Sequence, residues 1–120
     1  MTLTTLEKLV LRIVAQDEDY ERLDLMLNEI KQHLPSTSED KALTAAQQTL
    51  RSLISRGLVE LYQRNRTEAA KYDAVPKADY DRTIDTQSSW SCTSTITREV
   101  ACAPTKEGQR VYETECDISR

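Results

Sequence analysis

Residues 44–62 (TAAQQTLRSLISRGLVELY) constrain the fold more than any other stretch of this 120-residue chain. Apolar residues recur at helical spacing over residues 46–54, which predicts a helix with one buried face. Gly57 follows where a helix would end in the left-handed conformation, which glycine adopts without steric cost. The alternation over residues 58–62 then predicts a half-buried strand. The buried helical stripe consists of Ala46, Leu50, Leu53 and Ile54.

The start and the outer face of this helix are polar. Thr44 and Gln47 have the S/T-x-x-E/Q spacing of a capping box, so the helix is predicted to begin at Thr44. The face opposite the stripe contains no acidic residue and is rich in hydrogen-bonding groups. It consists of Thr44, Gln48, Arg51, Ser52 and Ser55.

Composition predicts a single α+β domain, because 120 residues normally form one domain. All thirteen leucines lie at or before Leu61. The second half is instead rich in Thr, Tyr, Val and Cys, which favour strands and loops. We therefore expect three N-terminal helices over residues 1–57, a β-hairpin with a long insertion over residues 58–104, and a C-terminal segment with a short helix over residues 105–120.

Two helices, or one bent helix, are predicted before Pro35. Thr4 and Glu7 form a second capping box, and the helix that follows should end near Gln16. Helical spacing of apolar residues then continues from residue 20 to residue 34. Leu11 and Leu25 lie off these stripes, so they are either scattered surface leucines or part of a dimer contact.

The second half of the hairpin is predicted at residues 98–103, antiparallel to residues 58–64. The connection between them is too long for a normal hairpin loop, so it should contain structure. Pro76 suits the first position of a short helix on which Tyr80 and Ile84 share one face. Trp90 should anchor this insertion to the core.

No enzyme chemistry is indicated. His33 is the only histidine, and no sequence motif pairs it with a nucleophile that it could activate. With only Gly57 and Gly108 there is no glycine-rich phosphate loop, and no metal or cofactor site is predicted. No apolar run is long enough for a membrane span, and no signal peptide is visible, so we expect a cytoplasmic protein.

The three cysteines are consistent with a cytoplasmic protein, because an odd number of cysteines with no CxxC pair argues against a disulfide framework. Redox pairing of Cys92 with Cys102 is a minor alternative to idle or buried thiols; the remaining cysteine is Cys116. The net charge of −4 argues against a protein that coats nucleic acid without discrimination. Residues 36–66 are the only positive third, with five basic and three acidic side chains.

The order of helices, glycine stop, strand and return strand resembles the winged helix-turn-helix superfamily, over roughly residues 4–112. Two segments carry the resemblance: LRSLISRGLV at residues 50–59, which is similar to the end of a recognition helix, and TKEGQRVY at residues 105–112. The resemblance implies a DNA-binding transcriptional regulator that acts as a homodimer, with the hairpin as its wing.

In that superfamily the second helix of the motif enters the major groove of DNA. Carried over by position, the base-reading face here would be Thr44, Gln48, Arg51 and Ser52, with Gln47 at its flank. Arg64 and Arg66 would contact phosphates.

Two other possibilities stay open. Gln47 can be a simple cap beside a solvated helix face. The module can also bind protein rather than DNA, with the long insertion and the acidic surface as its contact. A DNA-binding protein should show a continuous positive face, whereas a protein-binding module should pair its arginines with acidic segments.

Overall fold

A computed structural model of the chain describes residues 3–16, 20–65, 71–91 and 98–116. Within these ranges the protein is α+β, with helices packed against a four-stranded antiparallel sheet. The helices are α1 (Thr5–Gln16), α2 (Leu23–His33), α3 (Glu39–Ser55), α4 (Tyr80–Asp85) and α5 (Lys106–Val111). The strands are β1 (Glu21–Arg22), β2 (Val59–Asn65), β3 (Asp73–Ala74) and β4 (Arg98–Pro104). Two 3₁₀ helices (Lys77–Asp79 and Gln87–Trp90) and a π-helical segment (Tyr112–Cys116) complete the order.

The capping box at the start of α1 is confirmed. The Thr4 amide donates to Glu7 Oε1 at 2.8 Å, and the Glu7 amide donates to Thr4 Oγ1 at 3.0 Å. The helix ends at Gln16 as predicted. The interpretation of Leu11 as a surface or dimer residue is wrong, because its side chain is fully buried. Helix α1 packs against α3, β4 and the C-terminal helices, so its buried face is wider than one stripe.

Helices α1 and α2 are separate, and the short strand β1 precedes α2 directly. The sequence did not predict this strand. Leu25 on α2 is 44% exposed, in agreement with its position off the apolar stripe. A dimer contact at Leu25 stays a prediction.

Helix α3 begins at Glu39, five residues before the predicted start. Its N-cap is Ser38, whose Oγ accepts a hydrogen bond from the Lys41 amide at 3.3 Å. The predicted capping box at Thr44 is therefore wrong. The helix continues N-terminally because Ala42 extends the buried stripe by one more turn.

The predicted glycine stop is confirmed, since Gly57 has φ of 75°. The Leu58 amide donates to the Leu53 carbonyl at 3.0 Å, which is the 6→1 bond of a Schellman motif. This turn directs the chain straight from α3 into β2.

The sheet has the order β1-β4-β2-β3, and all neighbours are antiparallel. Strands β2 and β4 pair over their whole length, from Val59 opposite Pro104 to Asn65 opposite Arg98. The predicted pairing of the hairpin strands is thus confirmed. The two strands are joined through the insertion rather than by a tight turn.

The insertion folds back onto the helices, as predicted. Pro76 is the residue before the first 3₁₀ helix and not its first residue as predicted, while Tyr80 and Ile84 share the buried face of α4. Trp90 is 3% exposed, and its Nε1 donates to the Ile84 carbonyl at 2.9 Å. Helix α4 contacts α3 through this arrangement.

The predicted short C-terminal helix is α5, which is fixed to the α3–β2 turn. Thr105 Oγ1 donates to the Gly57 carbonyl at 2.7 Å and accepts from the Gly108 amide at 2.9 Å. The Thr105 amide also donates to the Leu58 carbonyl at 3.0 Å. Because α5 lies so close, a Cβ at Gly108 would be 2.0 Å from the carbonyl oxygen of Leu58.

Candidate nucleic-acid interface

The exposed part of the predicted base-reading face is small. Thr44 and Gln48 are exposed in the middle of α3. Because the helix starts earlier than predicted, they are not at its N-terminus. The first turn instead carries Glu39 and Asp40, both exposed, followed by Lys41.

Arg51 is held by two carboxylates of the insertion. Its Nε donates to Asp81 Oδ1 at 3.0 Å, and its Nη2 donates to Asp85 Oδ1 at 2.7 Å. These hydrogen bonds, that to Asp85 above all, raise the pKa of the guanidinium above its usual value. Both carboxylates come from α4, so the insertion supplies counter-charges to the outer face of the central helix.

Gln47 and Ser52 also bond to neighbouring elements. Gln47 Nε2 donates to the Ile84 carbonyl of α4 at 3.0 Å. Ser52 Oγ donates to Glu7 Oε2 of α1 at 2.6 Å. Gln47 therefore connects the insertion to α3 rather than capping a helix, and Ser52 connects α1 to α3.

Glu7 is a buried carboxylate between two helices. Its Oε2 also lies 3.2 Å from Arg56 Nε. Burial raises the pKa of Glu7, but the hydrogen bonds from Ser52 and from the Thr4 amide, together with the charge of Arg56, outweigh burial and lower it overall. The charged form of Glu7 therefore stabilises the folded state.

This shift predicts an acid-dependent loss of stability. The charge of Glu7 contributes its full stabilisation of the folded state above the unfolded-state pKa of about 4.5. This stabilisation is lost as the pH falls through the folded-state pKa, which is lower. We expect Glu7→Gln to lower the free energy of unfolding by about 1.5–3 kcal/mol at pH 7, because it removes charged hydrogen bonds from a buried group. The deficit should shrink towards low pH.

Urea unfolding of both proteins at pH 7 and at about pH 3 measures this difference. Glu107→Gln is the matched control, since this carboxylate pairs with Arg110 at the surface and should have little effect. An equal deficit at both pH values would contradict the role given to the Glu7 charge.

The predicted phosphate-binding residue Arg64 lies on the outer face of the sheet. Its Nη2 is 3.1 Å from Glu99 Oε2, and its guanidinium carbon is 4.5 Å from the centre of the Tyr72 ring. Tyr72 donates a hydrogen bond to the same Glu99 carboxylate. Burial and this hydrogen bond raise the pKa of Tyr72. Arg66 is outside the described residues.

Three tyrosines meet on this face, and the prediction that Tyr20 begins the helical stripe is wrong, because this residue precedes β1 and lies outside α2. The ring of Tyr20 lies 4.8 Å from that of Tyr62 and 4.5 Å from that of Tyr72, centre to centre. Ala101 lies opposite Tyr62 on β4. The cluster connects the chain before β1 to β2 and to the start of β3.

One sequence signal marks Asp81 and Asp85 as a pair of carboxylates that could bind a cation, without showing which one. Asp81 and Asp85 are four residues apart on the predicted short helix, so their carboxylates project from the same side. Two aligned carboxylates can hold one guanidinium. Asp81 and Asp85 bind Arg51 because of the way the insertion folds back onto α3. Arg51 lies thirty residues before Asp81, so no local sequence pattern indicates this pairing.

The described residues show no other reactive centre. No group of three or more His, Cys, Asp or Glu residues in these ranges could hold a metal ion. Cys102 is buried, whereas Cys92 lies outside the described residues, so a redox pair stays a prediction. Among the helices described, none has both the length and the apolar character needed to cross a bilayer.

Comparison with known proteins assigns the chain to no family. No family model matches it, and neither the curated proteins nor the solved structures contain a significant match.

Proposed function

We propose that this chain is a winged-helix module that binds a protein partner rather than DNA. One observation carries the proposal: Asp81 and Asp85 of the insertion hold Arg51, the arginine best placed to read a base. Arg56 and Arg64 are likewise paired, with Glu7 and Glu99. Paired arginines are the arrangement expected of a protein-binding module.

The order of elements supports the winged-helix part of the proposal. Helix, short strand, two helices and two long antiparallel strands follow one another, and the first strand pairs with the last. In this arrangement α3 takes the place of the recognition helix, and the ends of β2 and β4 take the place of the wing. The fold alone does not fix what the module binds.

The charge at the start of α3 argues against groove insertion. A recognition helix presents its N-terminal residues to base edges. Here that turn carries the exposed carboxylates of Glu39 and Asp40. DNA presents one negative charge about every 1.7 Å along its axis, so Asp40 would meet like charges on approach, whereas Glu39 already pairs with Lys31 at 3.4 Å.

Fluorescence anisotropy with a mixed-sequence duplex tests the proposal. We expect no salt-dependent affinity between about 50 and 200 mM salt, a range over which a protein with 6–10 phosphate contacts loses about 10³–10⁵ in affinity. The Arg51→Ala variant should behave like the wild type and should melt at nearly the same temperature, because exposed ion pairs contribute only about 0–1 kcal/mol.

The double variant Asp81→Asn/Asp85→Asn is the decisive control. It keeps the shape of α4 but removes the two charges that hold Arg51. Salt-dependent DNA binding by this variant alone would agree with the role given to the two carboxylates, whereas steep salt-dependent binding of duplex DNA by the wild type would show that the protein-binding proposal is wrong.

A homodimeric DNA-binding regulator is the second candidate. It is favoured by the exposure of Thr44 and Gln48, since glutamine can bond adenine at two points. In that case Arg51→Ala would weaken DNA binding. If Arg51 contacts a base, the loss of affinity should depend on the base pair at one position of the DNA. If it contacts a phosphate, the affinity for all DNA sequences should fall alike.

A further inference from the structure

A cleft of about 300 Å³ lies at the end of the sheet where β2 ends and β4 begins. Its volume is at the lower limit of the range of about 300–1,000 Å³ that is typical of small-molecule pockets. The cleft therefore has room for a small ligand. Polar and charged residues of β2, β3 and β4 line it: Gln63, Arg64, Asn65, Asp73 and Arg98.

Arg98 is held at this cleft by two neutral side chains. Its Nε donates to Gln63 Oε1 on β2 at 2.7 Å, and its Nη2 donates to Thr83 Oγ1 on α4 at 3.3 Å. Neither acceptor carries a charge. The two hydrogen bonds therefore fix the orientation of the guanidinium without neutralising it.

One edge of the Arg98 guanidinium is available to a ligand. A guanidinium has five N–H donors, and the two bonds described use only one at Nε and one at Nη2. Within the part of the chain that the structure describes, Nη1 makes no hydrogen bond and no carboxylate forms an ion pair with Arg98. The edge formed by Nη1 and Nη2 matches the two oxygens of a carboxylate, which it can bind in a bidentate manner.

The surroundings of Arg98 leave its charge uncompensated. Partial burial of the guanidinium and the nearby charge of Arg82 lower the pKa of Arg98, and only Asp79 acts in the opposite direction. Asp79 is itself bound to Arg82 at 2.7 Å. The other arginine of the cleft, Arg64, differs from Arg98 because it pairs with Glu99.

Asp73 brings the opposite charge to the same cleft. It is exposed on β3, opposite Gln63 of β2. Among the described residues, its carboxylate forms no ion pair and accepts no side-chain hydrogen bond. Its charge is also not one of those that change the pKa of Arg98. The cleft thus presents a guanidinium and a carboxylate that do not neutralise each other.

We propose that this cleft binds a small zwitterion of the amino-acid class, whose carboxylate accepts hydrogen bonds from Arg98 and whose ammonium group donates to Asp73. A simple anion would be attracted by Arg98 but repelled by Asp73, and a simple cation would meet the reverse. A molecule that carries both groups pairs with both residues. The inference goes beyond the proposed function and does not depend on it.

Glycine, β-alanine and γ-aminobutyrate are the probes, each titrated at neutral pH into the full ¹⁵N-labelled chain and followed by NMR. They carry the same two charged groups at increasing separation, so the series also measures the distance that the cleft bridges. With at least one probe we expect saturable shifts of the Arg98 side-chain Nε–H signal and of the Asp73 amide. The expected Kd is about 1 mM or tighter.

Blocked forms of the tightest probe test the two contacts separately. Its amide lacks the carboxylate, and its N-acetyl form lacks the ammonium group. Each should bind at least about tenfold more weakly, because each loses a charge-assisted hydrogen bond. An N-acetyl form that binds as tightly as the parent would show a simple anion site, which contradicts the role given to Asp73.

Arg98→Gln and Asp73→Asn test the cleft from the protein side. Each substitution removes one of the two charges, and we expect each to weaken binding of the tightest probe at least about tenfold. Arg110→Gln is the matched control, because it makes the same change on α5 at a residue that does not line the cleft. This control variant should bind the probe normally.

The inference is overturned if no probe shifts the Arg98 Nε–H signal in a saturable manner, or if either blocked form binds as tightly as its parent. Both comparisons use only the wild-type chain, so they decide even if a variant does not fold. The DNA titration tests the proposed function independently, since its result changes neither outcome at this cleft.

Discussion

Replacing Gly108 with alanine is expected to lower the free energy of unfolding by about 3 kcal/mol. The added Cβ would lie 2.0 Å from the carbonyl oxygen of Leu58, which belongs to the backbone and cannot rotate away as a side chain can. The same oxygen accepts the hydrogen bond from the Thr105 amide, so α5 cannot retreat without breaking it.

The expected change in the free energy of unfolding is opposite in sign to the change that helix propensity alone predicts. Alanine is favoured over glycine inside a helix by about 1 kcal/mol, so a helix without this close contact would become more stable. Urea unfolding with an unchanged slope measures the effect. Gln109→Ala, at the next position of α5, is the control and should change little. A more stable Gly108→Ala variant would show that α5 does not lie against Leu58 in solution.

Replacing Leu53 with alanine is expected to cost about 2–5 kcal/mol, because it leaves a cavity in the centre of the core. Leu53 is fully buried on α3, and its neighbours along the stripe, Leu50 and Ala46, are fully buried as well. Chemical denaturation at pH 7 gives the value directly.

Leu25→Ala is the matched control for this substitution. It makes the same chemical change on another helix, but at a side chain that is 44% exposed. We expect a loss below about 0.5 kcal/mol there. Equal losses at Leu25 and Leu53 would contradict the buried face assigned to α3. A loss at Leu25 that depends on protein concentration would instead indicate that this leucine lies in a dimer contact.

Local sequence patterns correctly predicted the features that are determined by residues close together in the chain. Thr4 with Glu7 specifies the start of α1, and Gly57 specifies the turn after α3. In both cases the residues that determine the backbone are close together in the chain. Alternating residues similarly predicted that β2 and β4 are strands.

The wrong predictions concern features that depend on contacts between residues distant in sequence. Ser38 and Thr44 are both acceptable helix caps, and only the burial of Ala42 decides that the helix begins at the earlier one. Leu11 is buried because α1 is also covered from the C-terminal side of the chain. Strand β1 has only two residues, both charged, so it has no alternation to detect.

The base-reading role of the predicted residues stays a prediction, and only the exposure of two of them is observed. The exposed positions Thr44 and Gln48 follow from helical periodicity alone. The partners of Arg51 and Arg64 could not be predicted, because Asp85 and Glu99 reach them only after the insertion has folded and the sheet has formed. An ion pair depends on which charged groups the fold brings together, and that is not a property of one segment.

The position of β4 in the sheet has a consequence for how the chain is made. This strand lies between β1 and β2, yet it is synthesised after both of them and after the insertion. While residues 98–104 are still inside the ribosome, β1 has no neighbour and α1 lacks the strand that it packs against. The three N-terminal helices therefore emerge with apolar surface uncovered, and the core closes late. Such dependence on distant contacts makes folding slower than that of a three-helix bundle, and the unfinished chain is the form most exposed to aggregation and proteolysis.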